Sequence, residues 1–177
     1  MKPTDKLRSE HEVIEHVLDV LERASSVLES DGMLPEEFLP SAIDFVRSFA
    51  DGFHHAKEEG MLFPRMKERG VPDHEGPVGV MLHEHDLGRA FIRQLEEAMG
   101  QDDRPQMIEA LHGYIALLRQ HILKENQILF PMAEQVLGPE GMQGLTADFE
   151  RVEREEFSPD VRTRYEAVAE QLERALP

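Results

Sequence analysis

An eleven-residue motif occurs twice in this chain, and its spacing constrains the fold more than any other feature. The first copy, HHAKEEGMLFP, occupies residues 54–64, and the second, HILKENQILFP, occupies residues 121–131. Six of the eleven positions match without any shift: the leading histidine, a lysine–glutamate pair and the final Leu-Phe-Pro. A histidine and a glutamate four residues apart lie on one face of an α-helix, about 6 Å apart along its axis. The repeat therefore predicts two helices that each present an imidazole and a carboxylate to one face.

The composition excludes several classes of function. With 177 residues the chain can bury the core of one domain, and with no cysteine it can form neither disulfides nor thiolate metal sites. Acidic residues outnumber basic ones 36 to 19, for a net charge of −17, which repels nucleic acids and anionic membranes. The sequence contains no signal peptide and no apolar run of about 18 residues. We therefore expect a cytoplasmic protein with no nucleic-acid or membrane partner.

Capping and helix-breaking residues predict an all-α fold with four long helices. Because the connections are short, we expect an antiparallel up-down four-helix bundle over residues 1–137. A C-terminal extension, residues 138–177, should add short helices that pack on the bundle or at an oligomer surface. The predicted helices run from Thr4 or Asp5 to about Ser30, from Pro35 to Gly70, from Pro77 or Val78 to near Gly100, from the Asp103 cap to just before Gly138, from Pro139 to Phe157, and from Ser158-Pro159 to about Leu176.

Helical phase places one histidine of each long helix on the apolar face. At about 100° per residue, two glutamates share these faces one turn after a histidine, and the other five histidines fall outside them. The inward residues are His11, His54, Glu58, His85, His121 and Glu125, and the outward histidines are His16, His55, His74, His83 and His112.

Two buried glutamates require compensation, because a carboxylate without a partner is costly in the interior. No lysine or arginine lies on the inward faces, since Lys57 and Lys124 are rotated about 100° away. A metal cation is the remaining way to supply positive charge. The inward histidines and glutamates are thus candidate metal ligands, and six of them suit two metals. Imidazole and carboxylate ligands with open positions favour non-haem iron, with manganese or zinc as alternatives.

Four segments of the sequence together resemble the hemerythrin-like, or HHE cation-binding, family. They are EHEVIEHVLDVL, HHAKEEGMLFP, MLHEHDLGR and HILKENQILFP, and the resemblance covers about residues 5–137. It implies a four-helix bundle around a non-haem di-iron centre with a bridging oxygen species. Carried over by position, it implies that His11 and His54 bind one iron and that His85 and His121 bind the other. Glu58 and Glu125 would bridge the two irons.

The chain departs from the oxygen-carrying members of that family at one position. Those members have a second histidine four residues before the one on the third helix, where this chain has Met81. One iron could therefore have an extra exchangeable position. In some members the residue beside the second-helix histidine is also a ligand, which keeps His55 as an alternative ligand despite its phase. Arg89 also matches the family motif, either as a salt bridge to a bundle carboxylate or as a contact behind the ligands.

Several functions are compatible with such a centre. We expect a carrier or sensor that binds O2 or a related small oxidant, so that the ligand is a diatomic molecule or a peroxide. One alternative is a di-iron enzyme that consumes peroxide, O2 or nitric oxide, and others are iron storage or sensing, or a helical interaction module with a structural metal. No catalytic residue is assigned, and the acidic C-terminal helices could supply a homodimer surface.

Overall fold

Every regular element in the described part of the chain is a helix, which confirms the all-α class. The structure is a computed structural model that describes residues 1–158 and 160–176. None of the helices within these residues has the length and apolar character needed to cross a membrane. The helices are α1 (Pro3–Glu29), α2 (Phe38–Phe45), π1 (Val46–His55), π2 (Glu58–Leu62), α3 (Phe63–Glu68), α4 (Gly76–Gly100), α5 (Arg104–Lys124), π3 (Glu125–Leu129), α6 (Phe130–Glu156) and α7 (Val161–Ala175).

The helix starts follow the capping chemistry of the sequence. Asp103 caps α5 as predicted, because its carboxylate accepts the backbone N–H of Gln106 at 3.1 Å. At the start of α1, Asp5 acts from within the first turn, where its carboxylate accepts the backbone N–H of Lys2 at 3.1 Å. The second helix starts at Phe38 rather than Pro35, because Pro35 belongs to the turn before it.

Both copies of the repeated motif contain a π-helical turn at the same place. Glu58 begins π2 and Glu125 begins π3, and each π turn ends two residues before a proline, Pro64 or Pro131. A proline has no N–H to donate, and its ring crowds the carbonyl four residues earlier. A wider turn lets the helix pass this position without ending. Each copy of the motif thus places a glutamate at the start of a widened turn.

Two apolar clusters fill the interior, and the predicted ligands lie between them. Leu18 and Phe49 belong to the first cluster, and Leu7 and Leu62 belong to the second. Along α1 the chain leaves the second cluster, passes His11 and enters the first cluster. From α2 to α3 the chain runs the other way, from the first cluster to the second. It returns to the first cluster along α4, and it reaches the second again from α5 to α6. The chain therefore crosses one polar layer four times, in alternating directions.

The C-terminal residues join the same interior after a bend at Gly138. This residue has φ 64° and ψ −178°, a conformation that essentially only glycine adopts, and it interrupts α6 where the fourth helix was predicted to end. Beyond the bend, Phe149 packs in the second cluster, and Tyr165 and Leu172 of α7 pack in the first. Pro159, in the predicted start of the last helix, lies outside the described residues.

Candidate metal centre

The six side chains selected by helical phase meet in the polar layer between the two apolar clusters. All six are buried, with no more than 2% of any residue exposed. The four remaining outward histidines, His16, His74, His83 and His112, are exposed as predicted, at least in part.

The four inward imidazoles form two pairs. The Nε2 atoms of His11 and His54 lie 2.9 Å apart, and those of His85 and His121 lie 3.1 Å apart. Two nitrogens bound at right angles to one metal ion, each about 2.1 Å from it, would be about 3.0 Å apart. The spacing within each pair therefore suits two neighbouring ligands of one ion.

Each buried glutamate lies between the two histidine pairs. The Glu125 oxygens are 3.1 Å from His11 Nε2 and 3.2 Å from His121 Nε2. The Glu58 oxygens are 3.6 Å from His54 Nε2 and 3.5 Å from His85 Nε2. Despite these distances, none of the four carboxylate oxygens has a hydrogen-bond partner among the described residues. Buried oxygens without partners are costly, so this donor set fits a bound cation.

The same four imidazoles each engage an oxygen through Nδ1. A neutral imidazole that donates from Nδ1 keeps a free lone pair on Nε2, which is the form that binds a metal. All four Nε2 atoms face the glutamates, and on a neutral ring each would carry the lone pair that a metal ion requires. The Nδ1 contacts are His11 with Asn126 Oδ1 at 2.9 Å, His54 with Glu10 Oε2 at 2.9 Å, His85 with Glu59 Oε1 at 2.7 Å, and His121 with Glu84 Oε2 at 2.9 Å.

The prediction that His55 faces away from the core is wrong. Its side chain is buried, and its ring stacks on His85 with 3.8 Å between centroids. His55 ends π1, where i→i+5 hydrogen bonding puts an extra residue in each turn and reduces the rotation per residue. Phase arithmetic for an α-helix fails there, and both His54 and His55 face inward. His55 also engages an oxygen through Nδ1, at 3.3 Å from Asp51 Oδ1.

With His55 included, the ligand atoms form two groups that could each hold a metal ion. Glu58 belongs to both groups, and the atoms of each group lie within 4.8 Å of one another. The first group is His11, His54, Glu58 and Glu125, and the second is His55, Glu58, His85 and His121.

The residues that hold the histidines were not predicted from the sequence. Glu10 contacts His54 with one oxygen and the Lys57 ammonium with the other, while Glu84 does the same for His121 and Lys124. A signal was present, because a glutamate directly precedes the inward histidine in both EHEVIEHVLDVL and HEHD, and a lysine occupies the same position of both motif copies. The two halves differ in exposure: the Lys57 side chain is 1% exposed and the Lys124 side chain is 34% exposed.

Arg89 has both of the roles that the sequence left open, because it forms salt bridges and lies behind the ligands. Its guanidinium binds Asp51 at 2.7 Å and Glu59 at 2.8 Å. These carboxylates are the acceptors of His55 and His85, so Arg89 fixes the groups behind two imidazoles.

The pKa values of the ionisable groups in the layer are shifted by burial and by one another. Burial, and then repulsion from Glu125, raises the pKa of Glu58 to about 7. Burial would also raise the pKa of Glu125, but the closer His121 and His11 outweigh it and hold that pKa well below 4.5. Burial opposes protonation of His121, yet Glu125 raises the pKa of this imidazole to about 10. Protons on histidine thus neutralise Glu125 where a metal cation could do so.

Comparison with known proteins identifies the family. The hemerythrin HHE cation-binding domain matches residues 2–133. The chain belongs to the hemerythrin HHE cation-binding family. The match spans all seven inward histidines and glutamates, and it ends just before the bend at Gly138.

Two relatives share modest identity with this chain. Uncharacterized protein Rv1995 of Mycobacterium tuberculosis (strain ATCC 25618 / H37Rv) is 24% identical over 162 residues, which are 88% of this chain and 62% of that protein. Iron-sulfur cluster repair protein YtfE of Escherichia coli O81 (strain ED1a) is 32% identical over 88 residues, which are 45% of this chain and 40% of that protein. The chain thus spans less than two thirds of the length of these relatives. No solved structure gives a significant match.

Proposed function

We propose that this hemerythrin-family chain is an antiparallel four-helix bundle that holds two non-haem iron ions and binds O2 or a related small oxidant reversibly, as a carrier or sensor. One observation carries the proposal. Five imidazoles engage oxygens through Nδ1, and beside them lie four carboxylate oxygens without hydrogen-bond partners. A pair of cations would compensate both carboxylates, and iron accepts imidazole together with carboxylate as ligands.

In this proposal the two ions have different ligands. His11 and His54 bind one ion, His55, His85 and His121 bind the other, and Glu58 and Glu125 bridge them. With one oxygen of each bridge on each ion, the first ion has four protein ligands and the second has five. Six-coordinate ions would then keep about two positions and one position for an outside ligand. His55 supplies the nitrogen that the chain lacks at Met81.

The surrounding residues hold the imidazoles in the form that binds metal. Glu10, Glu84, Glu59 and Asn126 accept from Nδ1–H, which fixes both the tautomer and the ring orientation. The apolar clusters on both sides keep bulk water out of the layer. Bound iron would supply the one-electron chemistry that O2 or another oxidant requires.

The test is to load the protein anaerobically with Fe(II), count the iron and record the visible spectrum while O2 is added and removed. We expect about two irons per chain and an absorption band that appears with O2 and disappears when O2 is removed. Loss of iron uptake in the Glu58→Ala, Glu125→Ala double variant would support the bridging roles. Undiminished uptake of two irons by that variant would overturn the di-iron proposal.

A second candidate function is a di-iron enzyme that consumes peroxide, O2 or nitric oxide. A cavity of about 260 Å³ beside His55 and His85 favours it, because this space would give a substrate access to one ion. Rapid irreversible oxidation in the same experiment, with turnover of peroxide or nitric oxide, would favour the enzyme over the carrier. A third candidate is iron storage or sensing, which predicts uptake and release of iron without turnover of an oxidant.

A further inference from the structure

The cavity beside His55 and His85 is larger than an oxygen carrier requires. Its volume is about 260 Å³, and it lies between π1, α4 and α5. An apolar protein cavity of about 150 Å³ is enough to bind benzene, whereas a water molecule occupies about 30 Å³. The space therefore suits an organic molecule with several carbon atoms better than it suits a diatomic gas.

A glycine creates part of this space. A Cβ atom on Gly88 would lie 3.5 Å from Leu118 and 3.7 Å from Tyr114, which is ordinary contact, so a longer side chain would extend into the cavity. Gly88 lies three residues after His85, and the residue three positions after His11 is Ile14, which is buried. The half of the site that contains Gly88 is thus open where the other half is filled.

The cavity wall combines apolar surface with one hydroxyl group. Ile92 and Leu118 are buried aliphatic residues of the wall. Tyr114 also lines the cavity, and the residue is 3% exposed. A tyrosine hydroxyl can donate to or accept from a polar group of a bound molecule, so it could orient a ligand against the apolar wall.

The charged groups of the wall indicate an uncharged ligand. Asp51 and Arg89 form several hydrogen bonds with each other, and Arg89 also binds Glu59. Arg47, at the cavity edge, binds Glu96 through two hydrogen bonds of 2.6 and 2.5 Å. Arg93, the remaining charged residue of the wall, is exposed to solvent. A charged ligand would have to compete with these pairs, whereas a neutral ligand would leave them intact.

We propose that this cavity binds an uncharged organic molecule about the size of phenol. Its hydroxyl or carbonyl group is hydrogen-bonded to Tyr114, and its apolar part packs against Ile92 and Leu118. The ligand lies next to His55 and His85 and fills the space left by Gly88. This inference goes beyond the proposed function, because the walls of the cavity exist whether or not the site binds metal.

Phenol and toluene are suitable probes, used with the protein after zinc loading so that O2 chemistry does not interfere. In nuclear magnetic resonance titrations we expect saturable binding of both, with nuclear Overhauser contacts from the probe ring to methyl groups of Ile92 and Leu118. The Tyr114→Phe variant should weaken phenol binding roughly fivefold, through the lost hydrogen bond, and leave toluene binding unchanged. No saturable binding, or no contact to these methyl groups in the wild-type protein, would overturn the inference.

Gly88→Leu should weaken both probes by about tenfold or more, because leucine fills the cavity. Gly100→Leu, at the open end of the same helix, is the matched control and should bind both probes normally. If Gly88→Leu does not fold, Gly88→Ala adds a single methyl group in ordinary contact and should weaken binding by a smaller factor. Unchanged phenol affinity in a folded Gly88→Leu variant would contradict the proposal.

Zinc content is measured separately in each sample. A protein that binds the probes but takes up no metal contradicts the proposed metal centre and supports the cavity inference. A protein that takes up about two metal ions but binds neither probe supports the proposed metal centre and contradicts the cavity inference.

Discussion

Lys57 and His54 contact the same carboxylate, each at a different oxygen. The Lys57 ammonium donates to Glu10 Oε1, and His54 Nδ1–H donates to Glu10 Oε2 at 2.9 Å. Glu153 of α6 covers this arrangement, because its carboxylate accepts from Lys57 at 3.0 Å. Lys57 is thus linked to the candidate ligand His54 by two hydrogen bonds, both of them to the carboxylate of Glu10.

Replacing Lys57 with methionine should destabilise the protein strongly. The change leaves Glu10 buried without its cation, a defect that typically costs about 3–5 kcal/mol. Loss of the residue that holds the Glu10–His54 contact should also reduce metal affinity by about 10–100-fold. Urea unfolding and a competitive zinc titration measure the two effects.

The equivalent lysine of the second motif copy is the matched control. The Lys124 side chain is 34% exposed and that of its partner Glu84 is 13% exposed. Water can therefore solvate the Glu84 carboxylate when its lysine partner is removed. Lys124→Met should therefore cost about 1 kcal/mol or less. Equal losses in the two variants would refute the role assigned to the burial of Lys57.

His55→Phe tests whether the fifth histidine is a ligand. Phenylalanine keeps the ring stack on His85 but removes the nitrogen, so one of the two metal ions should bind about tenfold or more weakly and the other should be unaffected. Isothermal titration with zinc resolves the two steps. His83→Phe, at an exposed position of α4, should bind both ions normally. Two unchanged binding steps in His55→Phe would show that His55 only packs against the site.

Replacing both buried glutamates with glutamine should abolish the stabilisation that metal provides. Without metal, the change at Glu58 removes a carboxylate whose pKa is raised by burial, whereas the change at Glu125 removes a carboxylate that His121 and His11 stabilise. The two effects oppose each other, so we expect little net change relative to the wild-type protein stripped by a chelator. With metal, the wild-type protein should gain stability by ligand linkage and the double variant should not. Thermal unfolding with and without zinc measures both differences, and a zinc-dependent rise in Tm for the variant would contradict the bridging roles.

Glu134 should make stability depend on pH on the acid side. Burial would raise the pKa of Glu134, but hydrogen bonds from Lys2, Thr4 and Arg8 outweigh it and lower the pKa below its ordinary value of 4.5. Its contribution is therefore complete above pH 4.5 and is lost as the pH falls through the lower folded value. The Tm of the wild-type protein should fall more steeply below that pH than the Tm of Glu134→Gln. Glu140→Gln, at an exposed position of the same helix, should follow the wild-type curve.

Helical phase identified the inward residues wherever the helix is regular. His11 and His85 lie within α1 and α4, and their burial follows from 3.6 residues per turn. His54 and His121 also face inward, because each occupies the position in its motif copy that precedes the widened turn. The inward orientation of His55 could not be predicted from helical phase, because no sequence pattern indicates the ten-residue π-helix that contains this residue.

The contacts behind the histidines were beyond sequence reasoning for a different reason. A lysine outside the apolar face is normally solvated, and the burial of Lys57 depends on Glu10 of α1 and on Phe149 and Glu153 of α6. Such convergence depends on how the helices are arranged in space. The glutamate that precedes each inward histidine of α1 and α4 is visible in the sequence, but its partner histidine is on another helix.

The bend at Gly138 directs the end of α6 back over the half of the site that contains His54. Glu153 and Phe149 then enclose Lys57, whereas Lys124 in the other half remains partly exposed and the cavity opens beside His55. Metal ions in the two positions would therefore exchange with solution at different rates. The ion near His54 would leave slowly, and the ion near His55 and His85 would be replaced first when another metal competes for the protein.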